Sequence, residues 1–221
     1  MEFSTISAPP ATPTRLRLAQ GLVVLFHLTG FVGLAFSRDP AFYLKFTPLT
    51  LLLTAALLAA FQPGRGWLFW LFGVQVFLLG FAAEFIGVQT GKVFGSYAYG
   101  HALGPRWVDV PWLIGLNWVV LTYLAGMLAA YLPVPGWVRV LVGAALMVGF
   151  DLCLEPVASR LDFWQWAGNV IPLKNFRDWF LLALVTQLLF VRAGFVKRNS
   201  LVPLVYVVQL LFFFGLGWLL P

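Results

Sequence analysis

Charge and cysteine are the scarce commodities in this chain of 221 residues. Only 10% of it is Asp, Glu, Lys or Arg, while 61% is hydrophobic. Soluble domains carry about 25% charged and 45–50% apolar residues. A soluble core of this length has no use for so much apolar surface. The mean hydropathy of +0.90 points the same way, to an integral membrane protein. A single cysteine, Cys153, excludes a disulfide within the chain and a cysteine metal cluster. Within its apolar run it reads as a small hydrophobe. No GK[ST] follows any glycine-rich stretch, which excludes a phosphate loop, and neither H-x-x-E-H nor D-D-x-x-D occurs to hold a metal. His101 and the acids therefore lack a recognisable metal-ligand spacing. The net charge of +6 is weak evidence for nucleic acid, because the basic residues sit at the ends of apolar runs, where they anchor to headgroups.

Apolar runs of about 20 residues, the length that crosses a bilayer, fall at 16–36, 43–61, 67–87, 111–132, 137–156, 178–196 and 201–220. The expected fold is an all-α bundle of seven transmembrane helices. Residues 1–14, rich in Pro, Ser, Thr and Ala, read as a disordered tail, and 15–221 as one transmembrane domain. The first run is longer than a signal-peptide core and no A-x-A site follows it, so it reads as a retained helix. The seventh run has no lysine for a retinal Schiff base. Lys and Arg split seven against seven between the two sides. One set flanks tight loops nearly free of acids, and this leans towards a cytoplasmic N-terminus in the cell membrane.

Two connections stand apart. Residues 88–110 and 157–177 are each about twenty residues long and rich in Gly, aromatic and charged side chains, and loops of that length are usually functional. With seven spans, both lie on one side of the membrane. Parity brings Glu84, Asp151 and Glu155 to that same side. An ionisable group within a span costs at least ~2.5 kcal/mol and is a functional hypothesis by default. Asp151 and Glu155, four residues apart, share a helix face, and Pro156 predicts a kink or helix end at Glu155. The competing reading pairs these acids with Lys92, Arg106, Arg160 or Arg177. Carboxyl groups withdrawn from water favour the neutral form, which a general acid needs at neutral pH.

Around the acids the sequence offers Asp109, Asn117 and Asn175 as polar candidates, with Tyr97, Tyr99, Trp164 and Trp166 as aromatic walls. Asn117 reads equally as an interhelical hydrogen-bonding residue, and the aromatics as an interfacial belt. Aromatic faces attract cations, and a dry pocket of carboxyls and aromatics suits carbocation chemistry on an alkene. Asp162 and Asp178 read as interfacial or paired groups, and His27 as a packing residue. A weak echo runs through the two halves: a Glu closing an apolar helix (Glu84, Glu155), an aromatic loop, Val-Pro-Trp or Ile-Pro-Leu, then an Asn (Asn117, Asn175).

The stretches E84-F-I-G-V-Q-T-G, F94-G-S-Y-A-Y, L103-G-P, V110-P-W, D151-L-C-L-E-P-V-A, L161-D-F-W-Q-W and I171-P-L-K-N-F-R-D-W-F resemble the carotenoid 1',2'-hydratase family over residues 80–182. Glu155 stands where Asp often precedes the proline in that family. The resemblance implies a cofactor-independent membrane enzyme that adds water to the terminal double bond of an acyclic carotenoid ψ-end, with the bilayer as its substrate reservoir and other carotenoid enzymes as neighbours. From the chemistry, the expected catalytic residues are Asp151, Glu84 and Glu155. Tyr97, Tyr99, Asp109, Asn117, Trp164, Trp166 and Asn175 are expected at the substrate. A carotenoid cyclase, and from another class a transporter or carotenoid-binding scaffold, are the alternatives.

Overall fold

The computed structural model describes residues 12–220. Most of the expected N-terminal tail, residues 1–11, lies outside them. The rest of that tail forms the cap and first turn of a helix. Thr12 caps α1 (Pro13–Phe36), its hydroxyl accepting from the Arg15 N–H at 3.4 Å, with Pro13 pre-set in the first turn. Asp39 caps the short α2 (Pro40–Leu44) in the same way. A break at Lys45–Phe46 then separates α2 from α3 (Thr47–Ala60). The remaining helices are α4 (Trp67–Thr90), α5 (Trp112–Ala130), α6 (Gly136–Ala158), α7 (Leu173–Arg192) and α8 (Val202–Leu219).

The protein is an all-α membrane protein. Six stretches are long and apolar enough to cross a bilayer: α1, α2–α3 together, α4, α5, α6 and α8. The remaining long helix differs from expectation. It starts at Leu173 rather than 178, so its first two turns carry Lys174, Arg177 and Asp178, and it packs along α6. Those charges occupy one another: Lys174 and Arg177 both pair with Asp178, the latter at 2.9 Å.

Of the two outcomes expected at Pro156, a helix end is not found; α6 continues to Ala158. Two residues from the end, the ring removes only the bond that the Leu152 carbonyl would have accepted. The helix α4 stops where Gly91 turns left-handed (φ 64°) and returns its N–H to the Gly87 carbonyl at 2.8 Å.

The long connections are not structureless. They form β1 (Tyr97–Tyr99), β2 (Arg106–Trp107), β3 (Val110–Pro111) and β4 (Trp164–Trp166). The strands β1 and β4 pair antiparallel with Tyr97 opposite Trp166 and Tyr99 opposite Trp164, which joins the two connections at one end of the bundle. The ribbon is extended by Gly100 N–H to Phe163 O (2.8 Å) and Ala167 N–H to Ser96 O (2.9 Å). The strands β2 and β3 form a hairpin whose turn residues, Val108 and Asp109, both have positive φ (46° and 68°), the backbone a tight primed turn requires. Among the described residues, the non-glycine positive-φ positions are Phe94, Val108, Asp109, Asp162 and Asn169, all within the two connections. Such conformations persist where surrounding contacts over-determine them. At Phe94 those contacts are the Asp178 carboxylate on its N–H (3.0 Å) and the rings of Trp118 and Trp179.

Close helix approach sets the core. Gly80 on α4 lies against the Trp118 ring of α5, and an added Cβ would fall inside the ring's van der Waals surface. Gly80→Val is expected to cost about 1–3 kcal/mol by overpacking and to push Trp118 out of register with α4. A lowered thermal midpoint of the detergent-solubilised protein checks it.

Candidate active site

Alternation along the ribbon builds the site. Successive strand residues point to opposite faces, so Tyr97, Tyr99, Trp164 and Trp166 face the bundle while Ala98 and Gln165 are exposed. The four inward side chains carry four polar hydrogens, and beneath them sit two glutamates.

Glu84, 3% exposed, accepts from the Tyr97 hydroxyl (2.5 Å) and Tyr99 hydroxyl (2.7 Å) on Oε2, and from Trp118 Nε1 (2.9 Å) on Oε1. Glu155, also 3% exposed, accepts from Trp166 Nε1 (2.7 Å) and Trp164 Nε1 (3.2 Å) on Oε2, and from Asn175 Nδ2 (2.7 Å) on Oε1. Each glutamate thus has two ribbon donors and a third from the helix that follows its loop. The sequence echo is a structural one, with one shift: Trp118, not Asn117, is the counterpart of Asn175.

Asp151, wholly buried, is treated differently. Its Oδ2 accepts from the same Asn175 Nδ2 at 3.2 Å, and its Oδ1 has no partner. One amide nitrogen therefore ties Asp151 to Glu155. The three acids form no ion pair among the described residues. The loop cations are engaged elsewhere: Arg106 on the Gly100 carbonyl, Arg160 on the Leu220 carbonyl (2.7 Å), Arg177 on Asp178, and Lys174 on Asp178 and the Lys92 carbonyl. This removes the reading in which the acids are partners of loop arginines.

Burial first, then the neighbouring Glu84 carboxyl, pushes the Tyr97 and Tyr99 phenols above their ordinary value. A raised phenol favours the protonated form in the folded protein. The stabilisation is therefore complete below the ordinary value of about 10 and is lost only as pH rises towards the folded value. Alkaline titration followed by phenolate absorbance should leave these two tyrosines silent near pH 11, and the Tyr97→Phe/Tyr99→Phe double variant should lose no phenolate signal there.

Asp109 is not at the site. It lies exposed at the tip of the β2–β3 hairpin, where its backbone conformation, not its carboxylate, is used. Asp162 accepts the His101 N–H at 2.7 Å, tying the two connections together. Sequence reasoning missed Trp118, which also stacks on Trp179 with centroids 4.1 Å apart. An indole inside an apolar helix carries no signal that separates a hydrogen-bond donor from packing.

Beside the acids lies a largely apolar cavity of about 470 Å³ between α1, α2–α3, α5, α6 and α8. Leu25 and Phe26 on α1, with Phe42, Phe46 and Leu49 facing them, line it and are also exposed on the outer surface. The cavity therefore opens sideways, towards lipid. Asn117 lines its wall, and its amide has no hydrogen-bond partner among the described residues. The three acids do not line it. Trp164 does, so its indole touches the cavity on one side and Glu155 on the other.

Residues 46–220 match the family model described as carotenoid biosynthesis protein. The chain is similar to the bisanhydrobacterioruberin hydratase of Haloarcula japonica, with 32% identity over 139 residues. That match covers 57% of this chain and 47% of the relative, so the chain spans about half the length of the curated protein it matches. No solved structure matches it. The family match takes in every element from α3 to α8, and with them both glutamates, the aspartate and the ribbon that caps them: the chain belongs to the carotenoid biosynthesis protein family.

Proposed function

We propose that this protein modifies carotenoids in the bilayer, and specifically that it hydrates the terminal 1',2' double bond of an acyclic ψ-end to a tertiary alcohol. The observation that carries this reading is the unequal treatment of the paired acids. Glu155 accepts three hydrogen bonds, the pattern of an ionised carboxylate, which is acceptor-only. Asp151 accepts one and leaves a buried oxygen unmet. That free oxygen is the place for a proton. Environments that drive two neighbouring carboxyls apart in this way assign acid and base.

In the proposed reaction the Asp151 carboxyl gives its proton to C2' of the terminal isoprene unit, and the π pair forms the new C–H bond. The cation develops at C1', where it is tertiary, and the aromatic faces of Tyr97 and Trp166 stabilise it. Water bonds to C1' and yields its proton to Glu155. Transfer of that proton to Asp151 restores the starting state, so the net change is one water added. Asn117 on the cavity wall orients the terminal unit or the water. Glu84, which shares no donor with Asp151 as Glu155 does, anchors the ribbon rather than exchanging protons. Trp164 stands between cavity and acids and holds Glu155 by the longer of its two indole bonds, so its displacement admits the chain end. The substrate enters from the bilayer; the N-terminus is placed on the cytoplasmic side.

Co-expression in a host that accumulates acyclic carotenoids, with mass analysis of the pigments, tests the reading. Hydratase activity yields a product one water heavier. A cyclase would leave the mass unchanged, and a scaffold or transporter would leave the pigment itself unchanged; either result rejects the proposal.

A further inference from the structure

The outer face of α4 holds a polar group that lipid cannot satisfy. Phe72, Val76, Gly80 and Glu84 turn inward and are buried, while Leu71, Val74, Leu78 and Leu79 are exposed on the other side. Gln75 lies among those exposed residues. It falls eight residues after Trp67 and fifteen before Thr90, so at 1.5 Å per residue it lies roughly 12 and 22 Å from the two helix ends. Exposed tryptophans mark the two membrane interfaces: Trp67 at the start of α4, and Trp107, which stacks on Phe85 near its end. Gln75 sits between these girdles, in the hydrocarbon layer.

The Gln75 amide has no hydrogen-bond partner among the described residues. Other glutamines are engaged. Gln187 is buried and donates to the Thr122 carbonyl at 3.0 Å, and Gln89, at the interfacial end of α4, donates to the Val108 carbonyl at 3.3 Å. A lysine or arginine could snorkel towards the headgroups, but the shorter glutamine side chain cannot reach them from this depth. Acyl chains offer it neither donor nor acceptor. A carboxamide left so is costly, and in membranes such side chains hydrogen-bond across helices.

The spacing on that face selects the partner helix. Leu71, Gln75, Leu78 and Ala82 follow one another at intervals of four, three and four residues, the a/d repeat of a left-handed helix pair. At 3.6 residues per turn they lie within about 60° of one another, and all four are exposed. The small Ala82 lets two backbones approach, and one polar group in such a seam fixes its register. An amide carries both donor and acceptor, so its complement is a second amide. Copies inserted with one orientation hold Gln75 at the same depth, and a two-fold axis along the membrane normal sets the two amides face to face. The contact leaves the cavity mouth open to lipid, because among the described residues no α4 side chain lines the cavity. We propose that α4 is the contact surface of a homodimer in the bilayer, with the two Gln75 amides exchanging N–H···O bonds across the two-fold axis. Each protomer keeps its own acids and its own cavity, so the pairing is independent of the reaction proposed there.

Energy transfer between donor- and acceptor-tagged full-length protein in phosphatidylcholine liposomes, followed over a range of lipid-to-protein ratios, tests the pairing. The wild type should dimerise, and Gln75→Leu should associate about tenfold or more weakly, as expected for hydrogen bonds between helices in lipid. Leucine faces lipid as its neighbours do, so the variant should keep the wild-type thermal midpoint. Contact geometry is read separately, in a Cys153→Ala background. Oxidation of membranes with copper–phenanthroline should link Leu78→Cys to its copy and leave Leu211→Cys, exposed on α8, unlinked. A wild type that stays monomeric at every ratio overturns the proposal. So does a Gln75→Leu protein that associates as tightly as wild type, or linkage through Leu211→Cys and not through Leu78→Cys.

Discussion

Asp151→Asn should abolish the hydrated product while leaving the protein folded in the membrane. Asparagine keeps the shape, and its oxygen can still accept from Asn175, so the packing around α6 and α7 survives. What is lost is the acidic hydrogen that the proposed reaction assigns to the buried, unpartnered oxygen. General acid catalysis typically contributes 10²–10⁴-fold, and protonation of an unactivated alkene leans on it heavily. A loss of about 10³-fold or more in product, at unchanged protein level in the membrane, is the expected result. Glu155→Gln should be nearly as damaging to activity, for a different reason. Gln cannot take the proton from water, and with its oxygen kept on the two indoles its own N–H groups would meet the Asn175 amide where an acceptor stood. Pigment mass analysis of cells expressing each variant at matched levels measures both, and full hydration by Asp151→Asn would remove that residue from its role.

Glu84→Ala should fail the other way, as a loss of structure. Removing the carboxylate strands the Tyr97 and Tyr99 hydroxyls and the Trp118 indole N–H, all on one buried spot. Each orphaned buried donor costs about 1–3 kcal/mol, so the sum is several kcal/mol against a total stability that is typically 5–15. The ribbon would separate from α4 and α5, exposing its inner aromatics. The expected measurement is a large fall in the thermal midpoint in detergent and faster proteolysis within residues 92–110 and 159–172. Glu84→Gln, which keeps two acceptor positions, should fall between. A Glu84→Ala protein as stable as wild type but inactive would make Glu84 a catalytic group instead of an anchor.

The membrane class follows from composition, because a bilayer span needs only a run of apolar side chains. Helix count and parity follow from the spacing of those runs, and parity alone carries Glu84, Asp151 and Glu155 to one end. The pairing of Asp151 with Glu155 is equally legible, since four residues close one helical turn.

Other features depended on register between distant segments. Sequence alone placed Asp109 among the site residues, whereas the left-handed turn at Val108–Asp109 carries it to an exposed tip. It paired Asn117 with Asn175, whereas α5 turns Trp118 to Glu84 and Asn117 to the cavity. A one-residue difference is a 100° rotation on a helix, and only packing sets its phase; here the close approach of Gly80 to Trp118 sets it. It read residues 88–110 and 157–177 as loops, since three-residue strands are too short for their alternation to stand out. The partner of β1 lies more than sixty residues away, as the pairing of Tyr97 with Trp166 shows.

By itself, then, the sequence determined the solvent, the helices and the acids, all of which depend on local side-chain chemistry repeated at helical spacing. Packing between distant elements set which carboxyl oxygen is left unmet, which donors reach each glutamate, and where the cavity opens. Those outcomes depend on hydrogen-bond donors arriving from other elements, and no local pattern records which donors arrive.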